Sequence, residues 1–149
     1  MNKDVLIRIT SIQIPEGEDA LPEISLLLPG SYYQRNGCHY LHYEESIDGL
    51  PAAVSNFVKL KGDNMEVRKN GAIRTRMAFS PGSSQETLYA TDFGTFSMEL
   101  CTSSLTWDRI EHGLTVQVVY TLSQNKMPIS ECRLRIDAME AEYASPLFS

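Results

Sequence analysis

At 149 residues, 42% of them hydrophobic and 21% charged, the chain has the make-up of one globular domain able to bury a sizeable core. A formal net charge of −6 and a pI of about 5.0 argue against duplex DNA or RNA as the main partner, because binding a phosphate backbone draws on a basic surface. No run approaches the roughly 18 apolar residues of a membrane span. The cysteines, Cys38, Cys101 and Cys132, are too widely spaced for a disulfide framework or a zinc ribbon, which points to a reducing cytoplasm.

The N-terminal run does not read as a signal peptide: Asp4 and Arg8 interrupt it and no small-residue cleavage site follows. Val5, Ile7 and Ile9 alternate as in a strand, and Ile12 and Ile14 continue in the opposite phase, which predicts a β-bulge near Thr10–Ser11. After the loop PEGEDALPE, EISLLL runs through Pro29–Gly30 into SYYQR as a bent or broken strand. Asn36–Gly37 then joins SYYQR to CHYLHYEE, a two-residue hairpin signal because both central positions of a type I′ turn need positive φ. Asn70–Gly71 repeats that signal between NMEVRK and AIRTRMAF. Further turns fall at Pro81–Gly82–Ser83–Ser84, Asp92–Phe93–Gly94, Glu111–His112–Gly113 and 124–128, each between strand-like runs. Among these, Leu114, Val116, Val118, Tyr120 and Leu122 alternate cleanly. The tail from Met139 onward has no period and reads as a frayed or capping end.

About eight to ten strands with hairpin-length connections predict sequential antiparallel neighbours. An open sheet of that length would leave two exposed edges, so the expected fold is a single all-β domain closed into an up-and-down antiparallel barrel.

Chemistry-bearing residues concentrate in HYLHYEES, His39 to Ser46. His39 and His42 are three apart and point to opposite faces of a strand, so they do not chelate one metal ion, and no metal site is expected. His39, Leu41, Tyr43 and Glu45 share one face; Cys38, Tyr40, His42 and Glu44 share the other. Adjacent glutamates therefore cannot work as an acid–base pair on one substrate. Leu41 marks the Glu45 face as inward, where a carboxylate needs a cationic partner. Arg68, Lys69, Arg74 and Arg76 of the next hairpin are the candidates, and Arg74 with Arg76 also forms a possible anion-binding strip on the outer face. Asp92–Phe93–Gly94 lacks the companion loops of a kinase, Pro81-Gly-Ser-Ser lacks the lysine of a phosphate loop, and Cys101 and Cys132 read as packing residues; no cofactor is expected.

The ordered strings GSYYQRNGCHYLHYEES, VRKNGAIRTRMAFSPG, LYATDFGTFSMELCT and GLTVQVVYTL resemble the YwiB-like family of small bacterial proteins, a domain of unknown function. The resemblance runs over nearly the whole chain and rests on Tyr40, Tyr43, Glu45, Arg68, Gly71, Phe79, Gly82, Tyr89, Gly94, Thr102 and Tyr120; Glu44 stands where the pattern often has a second aromatic. It implies a calycin, or lipocalin-like, closed barrel and no particular reaction. It singles out Arg68 as the partner of Tyr43 and Glu45. The candidate ligand-binding set is Tyr43, Glu45, Arg68, Arg76 and Tyr89, with no catalytic residue assigned. The expected function is non-catalytic binding of a small molecule, an anion foremost, or an interaction role, by a monomer or homodimer that engages neither membrane nor nucleic acid. The alternative is an enzyme with Glu45 as acid or base beside Tyr43 and Arg68.

Overall fold

The computed structural model describes residues 2–46 and 53–144, which form one closed antiparallel barrel. Its strands are β1 (Asn2–Pro15), β2 (Ile24–Arg35), β3 (Cys38–Glu45), β4 (Val54–Lys61), β5 (Asn64–Asn70), β6 (Ile73–Phe79), β7 (Ser84–Thr91), β8 (Gly94–Ile110), β9 (Gly113–Gln124) and β10 (Met127–Glu140). Each strand pairs with the next in the chain, and β10 closes the ring on β1. Period-two alternation places Ile7, Leu41, Val58, Leu100, Val116 and Ile136 inside, each almost wholly buried. Burying a side chain of this size contributes about 1.5–3 kcal/mol relative to leaving it exposed. Together they belong to one apolar core that fills the interior of the barrel.

One hairpin turn behaves as the sequence predicts. Asn36 and Gly37 have φ of 52° and 77°, the left-handed pair a type I′ turn demands. The expected repeat at Asn70–Gly71 is different: Asn70 is the last residue of β5, and Gly71 alone has positive φ, at 147°. Glycine is needed there for a second reason, because a Cβ would lie 2.7 Å from the Ala53 carbonyl oxygen. The turn Asn125–Lys126, with φ of 52° and 64°, carries the left-handed pair instead.

The bulge expected at Thr10–Ser11 is absent. Pairing runs unbroken from Val5↔Glu140 to Pro15↔Ser130 and from Asn2↔Tyr33 to Ser11↔Ile24. Ile12 and Ile14 therefore lie on the outer face, half-buried, near the point where the following loop folds back and Leu21 donates to the Gln13 carbonyl at 2.8 Å. The register shifts occur elsewhere, between Thr102 and Ser104 in β8 and between Pro128 and Ser130 in β10. β4, whose VSNFVKLK alternates buried and exposed, is a strand that the turn-based reading passed over. Met139 and Glu140 of the expected tail complete β10, and Ala141–Tyr143 forms a short 3-10 turn; residues 145–149 of that tail lie outside the described residues.

Two ladders are incomplete. β6 and β7 pair only from Ile73↔Thr91 to Thr75↔Tyr89. β8 pairs with β7 from Gly94 onward but with β9 only from Glu99 onward, so Gly94–Met98 overhangs the β9–β10 hairpin.

Candidate functional site

Alternation in β3 turns His39, Leu41, Tyr43 and Glu45 inward, as expected, and His42 and Glu44 outward. Near the mouth that holds the β5–β6, β7–β8 and β9–β10 turns, Glu45 meets Lys69, not Arg68. The Lys69 ammonium donates to Glu45 Oε1 at 3.2 Å and to Asn56 Oδ1 at 2.7 Å, and Asn56 Nδ2 donates to Glu45 Oε1 at 3.2 Å. Both charged side chains are mostly buried, and Asn56 is wholly so. Tyr43 and Tyr89 share this environment: burial first, then the nearby Glu45 charge, pushes both phenols above their ordinary range. Tyr43, Glu45 and Tyr89 are thus brought together.

The partner expected for Glu45 is corrected by strand parity. In β5, Met65, Val67 and Lys69 face inward, which sends Glu66 and Arg68 outward. Arg68 and Arg76 are directly opposed across β5 and β6 on the outer face, and Glu66 lies between them, with contacts at 3.1 Å and 2.8 Å. The Arg76 hydrogen bond, with help from Arg68, holds the Glu66 carboxyl below its usual range. Of the expected strip of Arg74 and Arg76, Arg76 therefore already grips an anion, a carboxylate of this chain, while Arg74 reaches the Gly71 carbonyl at 3.5 Å. An acid–base arrangement of Glu45, Tyr43 and Arg68 on one substrate does not form.

The opposite mouth holds the more open site. A cavity of about 240 Å³ is lined by Val5, Leu114 and Ala138 at its apolar side and by Lys3, Tyr32, Arg109, His112 and Glu140 at its polar side. Each polar group follows from its strand. Lys3 and Tyr32 are register partners across β1 and β2; Arg109 continues the inward row of Leu105 and Trp107; His112 occupies the tip of the β8–β9 turn with φ of 61°. Lys3 Nζ lies 2.6 Å from Glu140 Oε1 and His112 Nδ1 3.1 Å from Glu140 Oε2, so both oxygens of the carboxylate are engaged. The Lys3 hydrogen bond, followed by that of His112, lowers the Glu140 pKa, and Glu140 raises that of Lys3. The His112 ring stacks on Tyr143 at 3.6 Å between centroids. Deeper in, Tyr32 Oη and His39 Nδ1 share a hydrogen bond of 2.6 Å, and His39 meets Trp107 edge-on. Burial, and next the charge of Arg109, keeps His39 below its ordinary pKa.

Arg109 makes no hydrogen bond or ion pair among the described residues. A free guanidinium beside Lys3, over an apolar floor, is suited to a carboxylate or phosphate. Lys3, Tyr32, Arg109 and Glu140 carried no signal in the sequence, because only barrel closure brings β1, β2, β8 and β10 together. His112 was visible only as a turn residue. Among the described residues no three histidine, cysteine or acidic side chains gather as metal ligands. The three cysteines are free, and no described helix is long and apolar enough to cross a membrane.

No curated protein matches the chain. The structure is similar to the crystal structure of the YwiB protein from Bacillus subtilis, with a TM-score of 0.83 and 21% sequence identity over 94% of this chain and 93% of that one. At that identity the likeness speaks for the fold. The model of the domain of unknown function DUF1934 matches residues 7–136, and with that span the chain belongs to the DUF1934 family.

Proposed function

We propose that this chain is a non-catalytic binding barrel, working in the cytoplasm, whose ligand is a small anion with an apolar portion held at the mouth lined by Lys3, Arg109 and His112. The observation that carries this reading is the guanidinium of Arg109, without a partner among the described residues, in the 240 Å³ cavity. Arg109 and Lys3 outnumber Glu140, so the polar wall favours an anion, while Val5, Leu114 and Ala138 favour a short hydrocarbon beside it. The volume lies just below the range for drug-sized ligands, which matches a small metabolite. The three free cysteines fit a reducing compartment.

The test is thermal denaturation with a panel of inorganic phosphate, acetate, hexanoate and hexyl phosphate. Binding to the native state raises Tm in proportion to ln(1 + [L]/Kd). Hexanoate or hexyl phosphate should raise Tm more than the matching bare anion. Arg109→Ala should abolish the shift and Arg109→Lys should retain part of it. A shift of equal size in wild type and Arg109→Ala would refute the assignment.

A further inference from the structure

Apart from the mouth cavity, the overhang of β8 leaves a strand edge open. From Gly94 to Met98 the strand has a neighbour, β7, on one side only, and its other edge is unpaired among the described residues. That edge, about 16 Å long at strand rise, borders a groove of about 410 Å³. Thr95, Phe96, Ser97 and Met98 form one wall of the groove and Ser123, Gln124, Asn125 and Lys126 the other. Sheet proteins commonly guard an edge with a charge, a proline or a bulge. Thr95–Met98 has none of these, and Phe96 is 48% exposed.

The two faces of the overhang specify what would pair with it. Phe96 and Met98 lie opposite Tyr89 and Thr87 on the barrel's inward face. On the outer face, Glu86 and Glu99 are direct cross-strand neighbours. Among the described residues their side-chain partners are the Ser97 hydroxyl, 3.2 Å from Glu86, and the Cys101 thiol, 3.6 Å from Glu99. Like charges directly opposed destabilise a strand pair, and no lysine or arginine of this chain pairs with either carboxylate among the described residues.

We propose that the Gly94–Met98 edge of β8 takes an extended segment of another protein as an added strand, with apolar residues of that segment meeting Phe96 and Met98 and alternate basic residues meeting Glu86 and Glu99. Backbone hydrogen bonds to the free edge supply affinity and the alternating side chains supply selection, as in other cases of strand addition. The paired carboxylates make a second copy of this chain a poor occupant, since self-pairing would bring four glutamates together.

The experiment uses the full chain and three labelled synthetic peptides: alternating valine and lysine, the same peptide N-methylated at alternate residues, and alternating valine and glutamate. Fluorescence anisotropy reads binding, and amide resonances locate it. The valine–lysine peptide should bind and shift Thr95–Met98, while the methylated and glutamate peptides should not. The Glu86→Gln/Glu99→Gln double variant, exposed and remote from the core, should bind roughly fivefold to tenfold more weakly. Equal binding of the methylated peptide, unchanged affinity of the double variant, shifts confined to other residues, or absence of binding would each overturn the proposal. So would sedimentation showing a dimer whose Thr95–Met98 amides are protected, because the edge would then belong to a second copy.

Discussion

Lys69 and Arg68 are adjacent in sequence, equal in charge and opposite in environment, which makes them a controlled pair. Lys69→Met keeps the aliphatic stem but leaves Glu45 facing the interior with Asn56 as its one donor among the described residues. Breaking a buried ion pair costs about 3–5 kcal/mol. The two side chains retain 17% and 19% exposure, so the lower end, about 3 kcal/mol, applies. For a domain of this size each kcal/mol moves Tm by about 2–4 °C, which gives a loss of about 6–12 °C. Arg68, at 62% exposure, makes a surface bond worth about 0–1 kcal/mol, and Arg76 stays on Glu66 when it is removed. Arg68→Ala should therefore cost no more than about 2–4 °C. Calorimetric melts at neutral pH provide the comparison. Adding Glu45→Gln to Lys69→Met should recover at least about 1 kcal/mol relative to the sum of the single changes. Equal, small shifts for Lys69→Met and Arg68→Ala would show that the cluster at Glu45 is solvated and that its burial has been misread.

Three further outcomes are expected. In Gly30→Ala, a Cβ would come within 2.6 Å of both the His42 carbonyl oxygen and Ile7 Cδ1; overpacking of this kind costs about 1–3 kcal/mol, visible as a lower urea midpoint at unchanged m-value. His39 has a folded-state pKa below 6.5, so the unfolded chain binds its proton first and stability falls as pH drops below about 6.5; His39→Gln should flatten that part of the stability–pH curve, and an unchanged slope would count against a buried, neutral ring. Glu140 is depressed below 4.5, so its contribution is present above that pH and is lost as pH falls through the folded value. The deficit of Glu140→Gln should accordingly be largest at neutral pH and vanish in acid.

What could be read in advance followed from parity and turn chemistry. The two faces of β3 were correct because Leu41 marks the inside and alternation does the rest. The same rule, applied to Met65 and Val67, selects Lys69, and the choice of Arg68 failed because family pattern was set above parity. The bulge at Thr10 failed for a related reason. A break in apolar phase is not a break in pairing, because Ile12 and Ile14 simply occupy the outer face. The mouth cavity was beyond reach: Lys3, Arg109 and Glu140 become neighbours only when the ring closes.

That closure has a consequence for how the molecule comes into being. β1 is held on one side by β2 and on the other by β10, the last of the barrel's strands in chain order. A growing chain can zip its successive hairpins locally, but one long flank of β1, from Val5 to Pro15, has nothing to pair with until β10 has been made. Contacts so distant along the chain are slow to form, and an unpaired flank in the interval invites pairing with the wrong partner. The hazardous species on the ribosome is therefore the nearly complete barrel that lacks one stave, and truncations within β10 should yield insoluble protein, not a smaller folded one.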